Sequence, residues 1–244
     1  MLYLNNEYQN LWDALDIQSL MDIHDLSGKG ILVSASSTSK VWKQMLSTTS
    51  IYLKQYFYPH SWSFFLRQSR ARSEWNSYVF FQTIGIACPP VLCCAEQRHF
   101  GRLIWAIIIT QEIPNTQNLY NLFQSNLLPT QRLDIIYELA DQLGSLHTQH
   151  FSHRDFKLRN ILWQSTGLPG HALYWIDCPR GHRPLYFSQH DIVKDLTDLY
   201  AHASFLWQPL EWKEFIEKYS AIMQISSIHL QKAIMHRYQK KHVH

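Results

Sequence analysis

Glycine is scarce in this chain, with 8 in 244 residues and none between Ile31 and Ser50. That scarcity, with aromatic residues at 14%, excludes collagenous, low-complexity and disordered classes. Cysteine is also rare. Cys88, Cys93, Cys94 and Cys178 show no CxxC spacing, and an adjacent pair such as Cys93 and Cys94 is poor disulfide geometry, so reduced thiols of a cytosolic protein are expected. Long apolar runs are missing: the most apolar window, Leu103 to Ile109, suits a buried strand and is far too short to cross a bilayer. The first residues carry acids early, with neither a basic start nor an unbroken apolar stretch, which argues against a signal peptide. The histidines are scattered without metal-ligand spacing, so a structural zinc site is set aside. A formal net charge of +3 is too mild for the basic stripe of a nucleic-acid binder.

What is present reads as two parts. The first thirty residues read as helical, followed by strand-like ILVSAS from Ile31 and a Ser/Thr-rich stretch to Ser50. Ile51 to Phe57 alternates as a strand, with Tyr52, Lys54 and Tyr56 on one face. A helix is expected from Arg72 to Ile84, stopped by Gly85, with Glu74 in its first turn as partner for Lys54. VLCC and LIWAIIIT read as a hairpin around the polar turn Glu96 to Arg102. The polar, proline-containing TQEIPNTQN reads as a connector, which gives an N-lobe over 1–110 and a C-lobe over 111–244. Beyond it, Thr130 is the expected cap of a helix whose Leu133, Ile136, Leu139, Ala140, Leu143 and Leu146 face a core. Short strands are expected at Ile161 to Trp163 and Leu173 to Ile176, around the turn STGLPGH, with helix thereafter.

The strongest signal is SHRDFKLRNILW, which matches the kinase catalytic-loop pattern H-R-D-x-x-x-x-N. Seventeen residues after Asn160 the strand ALYWI ends at Asp177. Phosphoryl transfer requires positioning and neutralisation of phosphate charge, and these residue types supply both. Asp155 would take or orient the proton of the acceptor hydroxyl, and Lys157 would screen the transferring phosphate. Asn160 and Asp177 offer hard oxygen ligands for magnesium. Lys54, paired with Glu74, would hold the α- and β-phosphates of ATP. By position after the apolar strand, the backbone of Gln111, Glu112 and Ile113 is expected to meet the adenine. The C-terminal HRYQKKHVH is read as a solvated tail, with contact to anionic lipid as the alternative.

From Tyr52 to Tyr219 the chain resembles the lipopolysaccharide core kinases, the heptose and Kdo kinases of Gram-negative bacteria. The marks are YLKQY, SRARSEWNSYVFFQTIGIACPP, SHRDFKLRNILW, YWIDCPRG, DIVKDLTDLY and EFIEKYS. The resemblance implies an α+β, bilobal protein-kinase-like fold, with a small β-rich N-lobe and a mainly helical C-lobe. It also implies ATP and Mg2+, a lipopolysaccharide core saccharide as acceptor, and a cytoplasmic enzyme peripheral at the inner membrane. Asp155 is then the catalytic base, Asn160 and Asp177 the metal ligands, Lys54 with Glu74 the phosphate anchor, and Asp195 a structural brace for the catalytic loop. Two departures stand out: no glycine loop precedes Lys54, and no A-P-E follows Asp177. The first motivates a non-catalytic scaffold as an alternative, beside a protein or metabolite kinase of the same fold. In the glycine-free stretch, backbone amides and hydroxyls of SASSTSK are the remaining candidates for a phosphate cradle.

Overall fold

The computed structural model describes residues 1–58, 61–165 and 171–242. They form two compact units, Met1–Val79 with Pro89–Pro114, and Phe80–Cys88 with Asn115–His244.

The first unit holds β1 (Leu2–Leu4), α1 (Gln9–Ala14), α2 (Leu20–Asp25), β2 (Ile31–Ala35), β3 (Ser39–Leu46), β4 (Thr49–Phe57), most of α3 (Arg70–Thr83), β5 (Val91–His99) and β6 (Arg102–Gln111). Its antiparallel sheet has the order β1-β5-β6-β4-β3-β2. Period two divides β4: Ile51 and Leu53 are fully buried against Trp12, Ile23 and Trp105, while Lys54 and Tyr56 share the other face. Two strands escape the sequence reading. β1 interrupts the helical N-terminal segment and pairs with β5 from Leu2↔Ala95 to Leu4↔Cys93. β3 occupies the Ser/Thr-rich stretch, because pairing on both sides, with β2 and β4, outweighs its weak local pattern. The expected helix begins two residues early, since the Ser69 hydroxyl accepts from the Arg72 amide, and Glu74 therefore lies past the first turn. The hairpin strands are longer than expected, leaving only Phe100 and Gly101 in the turn. All four cysteines are buried and outside any disulfide, and burial pushes Cys88 and Cys94 up to about 12.

The second unit holds β7 (Thr116–Asn118), α4 (Leu119–Phe123), α5 (Pro129–Thr148), β8 (Ile161–Ser165), β9 (His171–Trp175), α6 (Gln189–Leu206), α7 (Pro209–Met223) and α8 (Ser227–His242). The strands form a sheet in the order β7-β8-β9, and residues 166–170 of the expected STGLPGH turn lie outside the described residues. Thr130 is not the cap of α5. Pro129 takes the first helical position, and the Leu128 amide donates to Gln131 Oε1 at 3.1 Å. Ile136, Leu139, Ala140, Leu143 and Leu146 are buried as the helical spacing demands. Gly144 brings α5 against α7: a Cβ there would come within 2.7 Å of Ile222 Cγ2. The basic C-terminal stretch is helical through His242, anchored by buried Leu230 and Ile234 one turn apart and by Lys241 Nζ, 2.8 Å from Asp198 Oδ1. Through His242 it is helix and not a frayed tail.

Arg132 fastens this helical unit. It meets Glu211 through two bonds of 2.6 and 2.9 Å and also donates to the Phe123 and Leu206 carbonyls. Burial pushes the Glu211 carboxyl up, and the Arg132 bonds with the Gln208 amide more than offset it, leaving it below its usual range. Arg132→Ala strands that carboxylate and is expected to cost about 3 kcal/mol, read from the urea midpoint at constant slope. A loss below about 1 kcal/mol would make the pair an ordinary surface contact.

Candidate active site

The β8–β9 ladder builds the core of the site. Ile161 pairs with Trp175, and the Ile176 amide donates to the Asn160 carbonyl at 2.9 Å. Asn160 and Asp177 therefore stand at neighbouring ends of antiparallel strands. The Asn160 side-chain nitrogen donates to the Asp155 carbonyl at 2.9 Å, so its amide oxygen is the side-chain atom able to accept or to ligate a cation. Lys157 is ion-paired with Asp155 Oδ1. Arg154 and Asp177 sit in the left-handed region, with φ of 63° and 59°. Such strain at non-glycine residues persists only where surrounding bonds hold it.

For Arg154 the holder is Asp195. This fully buried carboxylate accepts from the His153 amide at 2.7 Å, the Arg154 amide at 2.6 Å and the Ser152 hydroxyl at 3.0 Å. Its fourth partner is His147 Nε2 at 3.2 Å. Because an ionised carboxylate only accepts, Nε2 carries the proton, and Nδ1 accepts from the Tyr219 hydroxyl at 2.5 Å. Burial pushes the Asp195 carboxyl up, but the His147 hydrogen bond and the His153 amide outweigh it, so it lies below its usual range. The brace implied by the resemblance is thus a buried hub and not a surface salt bridge. His153 plays a different part. It is buried among Phe81, Phe156 and Trp175, and burial lowers its pKa although Asp195, Asp155 and Asp177 oppose the shift. A neutral packing residue results.

The loop carries three cations, Arg154, Lys157 and Arg159, beside one acid, Asp155. Burial first, then Arg159 and Lys157, push the His202 imidazole down, and burial with Arg154 does the same to Lys194 on the same helix.

In the first unit, Lys54 Nζ lies 3.2 Å from Glu74 Oε2. Sequence reasoning missed what else holds Glu74: the Tyr56 hydroxyl donates to it at 2.5 Å and the Tyr78 hydroxyl at 2.9 Å. Both were signalled by spacing, Tyr56 two residues from Lys54 on a strand and Tyr78 one helical turn from Glu74. Tyr52 lies beneath the Lys43 ammonium, 5.9 Å from the ring centre, and Lys43 pairs with Glu112 at 2.7 Å. The Lys43 bond, then the Ser50 hydroxyl, hold the Glu112 carboxyl below its usual range. The amides of Gln111 and Glu112 are taken by the Pro90 and Ser50 carbonyls. In the Ser-rich turn, Ser36 Oγ accepts from the Thr38 amide at 3.2 Å and the Ser39 amide at 3.0 Å, so those two N–H groups close the turn instead of facing outward. Among the described residues no group of three His, Cys, Asp or Glu side chains converges as a metal cage. Magnesium asks for less, because one or two protein oxygens suffice where phosphates complete its shell.

A structure described as WaaP in complex with acyl carrier protein matches this chain with a TM-score of 0.78 over 99% of both chains, at 18% identity, and so shares its fold. A PknI kinase domain of Mycobacterium tuberculosis matches at a TM-score of 0.45 and 15% identity, over 72% of this chain and 70% of that one. No curated protein matches the chain. The sequence profile of the lipopolysaccharide kinase (Kdo/WaaP) family matches residues 31–219, a span that takes in every site residue described above. The chain therefore belongs to the lipopolysaccharide kinase (Kdo/WaaP) family and is a kinase of the lipopolysaccharide core.

Proposed function

We propose that the phosphoryl donor is ATP with Mg2+ and that the acceptor is a hydroxyl of heptose or Kdo in the inner core. The arrangement of Asp155, Asn160 and Asp177 on the Asp195 brace carries this reading. The Asp155 carboxylate takes the proton of the sugar hydroxyl as that oxygen bonds to the terminal phosphorus and the bond to the leaving ADP oxygen breaks. Lys157, held on Asp155, offsets negative charge on the moving phosphoryl group. The Asn160 oxygen and the Asp177 carboxylate are the hard donors that fit Mg2+, which when bound neutralises phosphate charge. In the first unit Lys54, oriented by Glu74, is the cation for the α- and β-phosphates. With the Thr38 and Ser39 amides closed on Ser36, that ammonium and the metal bear more of the phosphate binding than a glycine loop would leave them. Because the Gln111 and Glu112 amides are occupied, adenine contacts are assigned to carbonyl groups of this connector. The cations around the catalytic loop suit an anionic saccharide, and a lipid-borne acceptor places the enzyme peripherally at the cytoplasmic face of the inner membrane.

Thermal stability tests the nucleotide assignment. At about 100-fold excess over Kd, Mg-ATP adds ~2.7 kcal/mol, or roughly 5–10 °C in Tm for a chain of this size. Lys54→Ala and Asp177→Asn are each expected to abolish that rise. A rise kept by both variants would remove the two residues from the nucleotide site.

A further inference from the structure

The β5–β6 turn and the segment that follows β4 share one surface. Trp62, Phe65, Leu66 and Phe100 are 67%, 41%, 76% and 87% exposed. They do not dangle. Trp62 and Phe65 have ring centres 5.7 Å apart, and the Arg102 guanidinium lies 4.9 Å from the Trp62 ring. Arg98 donates to the Phe64 and Gly101 carbonyls and, at 2.6 Å, to that of Arg67, while the Leu66 amide reaches the Gly101 carbonyl. The two segments are so close that a Cβ on Gly101, whose φ is 78°, would fall 2.8 Å from the Phe65 ring. The fold thus holds large apolar side chains out into water on a bonded platform.

Single exposed apolar residues need no explanation, but a contiguous group rimmed by charge of one sign marks a contact surface. The charge at this surface is mainly positive: 62–72 and 97–109 together contain five arginines, of which Arg98 is ion-paired with the buried Glu96 at 3.0 Å, and no aspartate or glutamate. Tryptophan and phenylalanine seat at the boundary between headgroups and acyl chains, and arginine reaches anionic headgroups while its stem covers apolar surface. We propose that this face docks the protein on an anionic lipid bilayer, with Trp62 and Phe100 entering the headgroup region and Arg67 and Arg102 meeting lipid phosphates. The docking does not depend on the phosphotransfer reading. It assigns the peripheral membrane contact expected of the sequence to residues of the first unit instead of the C-terminal residues, which α8 folds into helix.

Sedimentation with vesicles tests it, using phosphatidylcholine alone and phosphatidylcholine with about 30% phosphatidylglycerol. The natural chain is expected to bind the anionic vesicles, more weakly as salt rises, and Trp62→Ser with Phe100→Ser to weaken that binding about tenfold or more. Equal binding by the double variant would overturn the assignment, as would no binding to anionic vesicles. Capture of an acidic protein by this face with no affinity for either vesicle would overturn it too. If the double variant melts early, Phe100→Ser alone, at a turn tip that is 87% exposed, decides the matter. Phosphate transfer to a delipidated, water-soluble core saccharide is expected to be unchanged in these variants. Vesicle binding lost on substitution in a chain that transfers no phosphate would still support docking while refuting the kinase reading.

Discussion

Asp155→Asn is expected to lower kcat by about a hundredfold to ten-thousandfold while leaving the melting temperature and the stabilisation by Mg-ATP close to those of the natural chain. The substitution keeps the shape of the side chain and the backbone carbonyl that receives the Asn160 amide. It removes the negative charge that pairs with Lys157 and the oxygen basicity needed to accept the hydroxyl proton. Because that proton moves only as the reaction proceeds, the loss belongs in kcat and in kcat/KM together, with acceptor binding little changed. Steady-state kinetics with a core saccharide as acceptor measures it. Full turnover in Asp155→Asn would dismiss Asp155 as the base, and a large rise in KM at constant kcat would recast it as a binding residue.

Much of this site is legible because its chemistry is local in sequence. Asp155, Lys157 and Asn160 lie within one loop, and the strand that ends at Asp177 follows closely, so residue type and spacing suffice. Lys54 and Glu74 are farther apart, yet a strand with a lysine followed by a helix with an acid has few ways to be read once the alternation is noticed. The loop's brace is different. Asp195 gathers Ser152, His153 and Arg154 from 41 to 43 residues away, and His147 links it to Tyr219 across 72 residues. No local pattern announces such closures. The left-handed backbone at Arg154 and Asp177 is equally silent, since neither residue is glycine and at Arg154 the strain is borne by Asp195, 41 residues away. β3 shows a related limit: SKVWKQML reads as a polar stretch until both neighbouring strands are present. The Ser36 hydroxyl also hides its role, because whether Thr38 and Ser39 amides face a phosphate or their own turn depends on the turn's closure.

Asp195→Ala is the largest stability change expected in the second unit. The aspartate is 0% exposed and is bonded to two backbone amides, a hydroxyl and an imidazole. Alanine leaves all of these donors buried without their acceptor, and losses of about 3–5 kcal/mol are typical when one partner of a buried charged network is removed. Turnover falls with stability, because the left-handed turn at Arg154 that carries Asp155 loses its holder. The pH dependence separates the charge from mere packing. Asp195 titrates below its usual range in the folded chain, for the reasons given by its His147 and amide partners. The unfolded chain therefore binds this proton first as pH falls, so the contribution is fully present above about pH 4 and shrinks as pH drops through the folded pKa. The unfolding free-energy difference between natural chain and Asp195→Ala, measured by urea titration from neutral pH downward, is expected to be flat and then to narrow below about pH 4. A difference that stays constant to the lowest pH at which both chains fold would mean that the bonds to Asp195 do not favour its ionised form.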